Sequence, residues 1–243
     1  MYISRIKLYN WKNFHDCEVV LSERCFIVGA NATGKSNFLD VIRFMRDIVK
    51  QGGGLQAAVA LRGGLKKIRC LAARQRTEVC IDLDICENGQ SSPKWRYSLE
   101  LSNKGGGIQK PYPLVNREIA YNYYTNKTVL DRKYSSQEED SETLKFTHLE
   151  QPTANAEFRE IKDVFQTTEY LNVIPQFVRD ADSVMLSSGM EDYFGRNFME
   201  RLSLLNTATR NKYLKIINEV LLTAVPQLEN LSFVKDEKGV PHI

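Results

Sequence analysis

The chain has 243 residues, 42% of them hydrophobic and 26% charged, which is enough apolar material for one large domain or two small ones with a real core. No window approaches the about 20 apolar residues that cross a bilayer, and the N-terminal segment lacks the apolar centre of a signal peptide, so a cytoplasmic location without membrane contact is expected. A formal net charge of +3 demands no polyanionic partner, and five cysteines (Cys17, Cys25, Cys70, Cys80 and Cys86) with no C-x-x-C pair suggest neither a disulfide framework nor a zinc site.

In chain order, Ile3, Ile6 and Leu8 mark a first strand, Cys17 to Leu21 a second, and the fully apolar Cys25 to Val28 a third. Phe38, Leu39, Ile42, Met45 and Val49 then recur at three- and four-residue spacing, which predicts a helix from Lys35 that ends before Gly52-Gly53-Gly54. Leu55 to Arg76 is mixed. Val79, Ile81, Leu83 and Ile85 alternate with Cys80, Asp82 and Asp84, the pattern of a half-buried strand, and turn-like segments at Asn88 to Pro93 and Asn103 to Gly107 extend it into an antiparallel meander. Lys127 to Glu150 is polar enough for a hairpin excursion or mobile loop. Beyond Gln151 the spacing turns helical, and Leu231 to Ile243 carries the hairpin signature Asp236-Glu237-Lys238-Gly239.

The chemistry lies between the third strand and the first helix. Gly29-Ala30-Asn31-Ala32-Thr33-Gly34-Lys35-Ser36 fits G-x-x-x-x-G-K-S/T at every fixed position. The glycines let successive backbone N–H groups turn inward as an anion nest, and the helix that follows adds its positive end. Lys35 is expected to reach the β- and γ-phosphates of a nucleoside triphosphate, most simply ATP, and the Ser36 hydroxyl to ligate Mg2+. A glycine-rich turn without a ligand is the plain alternative.

The strand ending in Asn10-Trp11-Lys12-Asn13-Phe14, the loop Gly29 to Ser36 and the following Asn37-Phe38-Leu39-Asp40 resemble the N-terminal part of ABC-type ATPase heads of the SMC and RecF class. Leu61-Arg62-Gly63-Gly64, Ile174 to Asp180 and Tyr193 to Arg196 are similar to phrases of the stand-alone RecF-like ATPases of bacteria. The resemblance implies that Lys12 and Asn31 approach the nucleotide beside the loop residues and Asn37, and that Gln176 contributes to Mg2+ and the attacking water. It also implies heads that dimerise on ATP, as a homodimer or larger oligomer, and act on DNA or an effector protein in DNA repair or phage defence.

Such a head also needs an LSGGQ-like signature and a strand ending in Asp-Glu to hold Mg2+ and polarise water. Leu186 to Met190 is read instead as a helix-capping loop, and Leu231 to Glu237 as a hairpin tip. The three histidines, His15, His148 and His242, offer no evident switch. The sequence therefore reads as an incomplete head from which hydrolysis alone is not expected. The basic run Arg62, Lys66, Lys67, Arg69, Arg74 and Arg76 is either a solvated face or a contact for DNA phosphates. A non-hydrolysing nucleotide-binding regulatory module is the alternative function, and a P-loop kinase fits poorly because an antiparallel meander follows the first helix.

The expected fold is α/β, a P-loop NTPase of ABC-ATPase type, with a mixed central sheet containing the P-loop strand, an antiparallel β subdomain and a C-terminal helical portion. Residues 1–150 are expected to form the nucleotide-binding lobe, and residues 151–243 the helical portion and terminal hairpin.

Overall fold

The computed structural model describes residues 1–72, 77–105, 111–134, 142–174, 176, 192–237, 239 and 241–243. It divides into two units, Met1–Thr168 and Glu169–Ile243. The first is built on six strands, β1 (Tyr2–Trp11), β2 (Phe14–Val20), β3 (Val79–Cys86), β4 (Pro93–Lys104), β5 (Tyr112–Asn122) and β6 (Lys127–Lys133). They pair in the order β2-β1-β3-β4-β5-β6, and every ladder is antiparallel.

Strand alternation places one set of side chains on a common buried face: Ile6 and Leu8 of β1, Val79, Ile81, Leu83 and Ile85 of β3, and Trp95, Tyr97, Leu99 and Leu101 of β4. Helix α1 (Lys35–Val49) adds Phe38, Val41, Phe44, Met45 and Ile48 to the same cluster. Short helices α2 (Leu55–Ala60) and α3 (Leu65–Ile68) and helix α4 (Arg159–Gln166) close it with Leu55, Ile68, Ile161 and Phe165. Each large side chain buried here contributes about 1.5–3 kcal/mol.

The opposite face of β3 is not open to water as half-burial would require. Asp82 and Asp84 lie beneath Arg5 of β1 and Arg96 of β4: Arg5 Nε donates to Asp84 at 2.6 Å and Arg96 Nη2 to Asp82 at 2.6 Å. Polar residues in a strand thus mark a face covered by ion pairs as readily as a solvated one.

Two expectations are corrected. Cys25 to Val28 forms no strand, and no backbone group of this segment has a hydrogen-bond partner among the described residues. Leu21 N still bonds to Ser4 O at 2.7 Å, after which the chain leaves the sheet. A strand exists through its ladder, and apolar content alone does not supply a neighbour. Consequently there is no mixed central sheet among the described residues: β1 and β2 are continuous with the antiparallel meander. Of the two readings of Lys127 to Glu150, a hairpin excursion or a mobile loop, its first residues take the hairpin one: Lys127–Lys133 is the edge strand β6, paired antiparallel to β5. The mixed stretch after the triple glycine holds α2 and α3.

In the second unit, the helix Phe198–Leu204 precedes the helix Thr207–Ala224, whose N-cap Asn206 accepts a bond from Thr209 N at 2.8 Å. The hairpin at the end is present, with Val234–Lys235 paired to Pro241–His242 and Asp236 O accepting from Gly239 N at 2.9 Å. Asp236 and Glu237 therefore sit at a turn, as expected, and not at the end of a core strand. Leu186 to Met190 lies outside the described residues.

Candidate nucleotide site

The loop Gly29–Ser36 leads into α1 through two residues in the left-handed region, Ala32 at φ 64° and Gly34 at φ 104°. Such residues interrupt the extended alternation and turn neighbouring N–H groups to one side. The backbone N–H groups from Asn31 to Asn37 accordingly have no acceptor among the described residues. Helix α1 begins with no side-chain cap and no acidic residue in its first turn. Fifteen aligned peptide units thus end on uncompensated donors, the electrostatic arrangement that attracts an anion.

Lys35 folds back over this loop, its Nζ donating to Gly29 O at 2.7 Å and Ala30 O at 2.6 Å. Thr33 Oγ1 donates to Ala30 O at 2.9 Å, tying the loop across its width. The ammonium is therefore held at the loop by carbonyl dipoles that a phosphate oxygen can replace. Ser36 is exposed at the start of α1, with its hydroxyl available to a cation beside the phosphates.

The turn between β1 and β2 grips the other side of α1. Trp11 Nε1 donates to Asn37 O at 2.8 Å, Asn37 Nδ2 donates to Asn13 Oδ1 at 2.8 Å, and Phe14 meets Phe38 edge-on at 6.4 Å. Lys12, itself at φ 50°, pairs with Asp40 at 2.7 Å. Asp40 is also held by Arg62, whose Nε and Nη2 donate to its two oxygens at 2.9 and 2.8 Å while Nη1 donates to Asp47 at 2.9 Å. Burial pushes the Asp40 carboxyl up, but the bonds from Arg62 and Lys12 together outweigh it and hold it below the ordinary value.

Residues 25–172 match the model of a family described as "AAA domain, putative AbiEii toxin, Type IV TA system", and residues 3–45 match that of the P-loop containing region of AAA domains. The first match covers more than half of the chain. The chain belongs to this AAA family. No curated protein matches it. The two matches overlap on the loop and the first part of α1, so the nucleotide-binding P-loop of the AAA domain coincides with the free amides described above.

In this AAA domain the sequence-predicted residues Gly29 to Asn37 and Lys12 fall in two segments that the first unit brings together, with Asp40 as the link to Lys12. Asn31, Ala32 and Thr33 are exposed along the loop. Gln176 is exposed and belongs to the second unit. The basic run is divided: Arg62 is partly buried, 8% exposed at its side chain, and committed to two carboxylates, whereas Lys66 and Lys67 are exposed. Arg74 and Arg76 lie outside the described residues. Among the described residues no group of three His, Cys, Asp or Glu side chains is placed to hold a metal ion. None of the helices among them is long and apolar enough to cross a membrane.

Reading the sequence missed Trp11, Asn13 and Arg62 as parts of the site. The aromatic residues of the Asn10 to Phe14 phrase are a signal that this turn packs on something. That Arg62 serves Asp40 rather than solvent has no local signature, because 22 residues separate the partners.

Proposed function

We propose that the chain binds ATP with Mg2+ as part of an ATPase similar to the SMC and RecF heads. The observation that carries the reading is the row of unpartnered amides from Asn31 to Asn37 at the uncapped start of α1, with Lys35 already at the loop. Those amides hold the phosphate oxygens, Lys35 moves from the Gly29 and Ala30 carbonyls to the β- and γ-phosphates, and Ser36 Oγ ligates Mg2+. When bound, Mg2+ neutralises charge on the phosphates. Lys12 and Asn31 approach the nucleotide, and Gln176 takes part in positioning water. Nucleotide-dependent pairing of heads, and action on DNA or an effector protein in repair or phage defence, belong to the same proposal.

Calorimetry with Mg-ATP tests the binding step. Lys35→Ala removes two charge-assisted bonds to phosphate and is expected to weaken binding by about 100-fold. The side chain bonds only to its own exposed loop, so the melting temperature is expected to stay within about 2 °C of the parent chain. Unchanged affinity in a folded Lys35→Ala variant removes the reading.

A second reading, a nucleotide-binding module that does not hydrolyse, is favoured by one observation. The first acid after Ser36 on α1 is Asp40, and it is committed to Lys12 and Arg62. Single-turnover assays separate the two: phosphate release from bound ATP supports the ATPase, and ATP held intact supports the module.

A further inference from the structure

The residues of the β1–β2 turn lie far from the loop in sequence, yet one of them touches it at its tightest point. A Cβ built on Gly34 would come within 3.0 Å of Phe14 Cζ and closer still to Asn13 Nδ2. Asn13 Oδ1 meanwhile accepts the 2.8 Å bond from the Asn37 side chain. The Asn13 carboxamide thus spans the hinge from loop to helix, with its oxygen on Asn37 and its nitrogen against Gly34. Asn13 is exposed, and its Nδ2 has no acceptor among the described residues. It stands as a free donor beside the free amides of Asn31 to Asn37.

Asn37 is held a second time. Its carbonyl accepts from Trp11 Nε1, so the first turn of α1 is gripped through both backbone and side chain by one two-residue turn. That turn has Lys12 in the left-handed region at φ 50°, a conformation unfavourable for a residue with a Cβ, with its backbone N–H bonded to Ile68 O and its ammonium paired with Asp40. The turn is therefore fixed from below by Lys12 and from the side by Trp11, leaving Asn13 little freedom to move away from the loop.

The geometry points to Asn13 as a positioning residue for the phosphate loop: its carboxamide fixes Asn37 and the Gly34 hinge so that the amides of the loop converge on one anion. This rests on the proposed nucleotide site and adds a residue to it. Positioning acts through Asn37, so the two side chains form one unit and their loss is not additive. An acidic replacement keeps the acceptor for Asn37 but places a negative charge beside the phosphates, which opposes anion binding and is relieved by salt.

The test is calorimetry of the full chain with Mg-ATP, Mg-ADP and inorganic triphosphate, beside thermal unfolding of each variant. Asn13→Ala is expected to weaken binding of all three about five-fold, the loss that one hydrogen bond explains. Asn37→Ala is expected to cost a similar factor, and the double variant no more than about two-fold beyond either single one. Asn13→Asp is expected to lose more affinity than Asn13→Ala at low salt, with the gap narrowing as salt rises, and both variants to melt with the parent chain. Equal affinities for parent and Asn13 variants, additive losses with Asn37, or lower melting temperatures with unchanged affinity overturn the role of Asn13 while leaving the nucleotide site standing. A parent chain that binds none of the three ligands overturns the site and this role together.

Discussion

Gly34 is the residue on which the loop's shape turns, for two separate reasons. Its φ of 104° disfavours any side chain, and the space a Cβ would need is taken by Asn13 and Phe14. Gly34→Ala is expected to destabilise the first unit by about 1–2 kcal/mol from backbone conformation, with crowding in addition. A urea midpoint unchanged from the parent would show that the β1–β2 turn gives way freely. Arg62 makes a different case. Its guanidinium lies over Phe44 at 5.0 Å and holds Asp40 and Asp47, the latter only 2% exposed. Arg62→Ala strips that partner from two carboxylates, although Lys12 keeps Asp40 and Lys50 keeps Asp47 at 2.9 Å. The expected cost is therefore about 3 kcal/mol, the lower end for breaking a buried pair, read from chemical unfolding. A loss below about 1 kcal/mol, the range of exposed pairs, would show that the two lysines suffice.

Among the elements, the start of α2 is tied to a segment 95 residues further along the chain by a carboxylate. Glu150 Oε2 accepts from Leu55 N at 2.6 Å, at the start of α2, and its Oε1 accepts from Thr147 N at 3.2 Å. Burial drives the Glu150 carboxyl up to about 7, the two amide bonds pull it down without prevailing, and the buried Glu118 nearby adds to the rise. Because the folded value lies above the 4.5 of an unperturbed glutamate, the native state holds this proton more tightly than the unfolded chain does. Its contribution to stability is present in full below about pH 4.5 and is lost as pH rises through about 7. Glu150→Gln keeps an acceptor for Leu55 and removes the ionisation, so the stability difference between parent and variant is expected to shift against the parent between those pH values. A difference independent of pH across that range would show that Glu150 ionises normally. Elements with a local period, α1 and the alternating β3, could be read from sequence. Strand β6 was legible only as one of two alternatives, hairpin or loop, because its buried Arg132 reaches inward to the carbonyls of Phe146 and Thr143, contacts that leave a polar segment ambiguous when read alone.

For the molecule as a whole, a strongly exposed apolar stretch among the described residues adjoins the phosphate loop. Phe26 is 83% exposed and Val28 is 89% exposed, and their backbone has no hydrogen-bond partner among the described residues. An unpaired, uncharged apolar segment is a template for strand pairing and association. The chain is expected to self-associate with rising concentration, and Phe26→Lys with Val28→Lys to reduce this by adding charge to the segment. Light scattering across a concentration series decides it: identical association in parent and double variant would place the sticky surface elsewhere.

The phosphate loop was legible because its parts are local. Eight consecutive residues and the helix they open supply the amides, the lysine and the hydroxyl, and no distant contact is needed to define them. Sequence by itself therefore determined where the P-loop lies and which helix follows it. Tertiary structure alone decided that Asn13 meets Asn37 and Gly34, that Arg62 holds Asp40, that Lys12 rests on Asp40, and that Cys25 to Val28 has no neighbour to pair with among the described residues. Each of those outcomes depends on which segments meet after folding, and hydrophobic period carries no record of a partner that lies far along the chain.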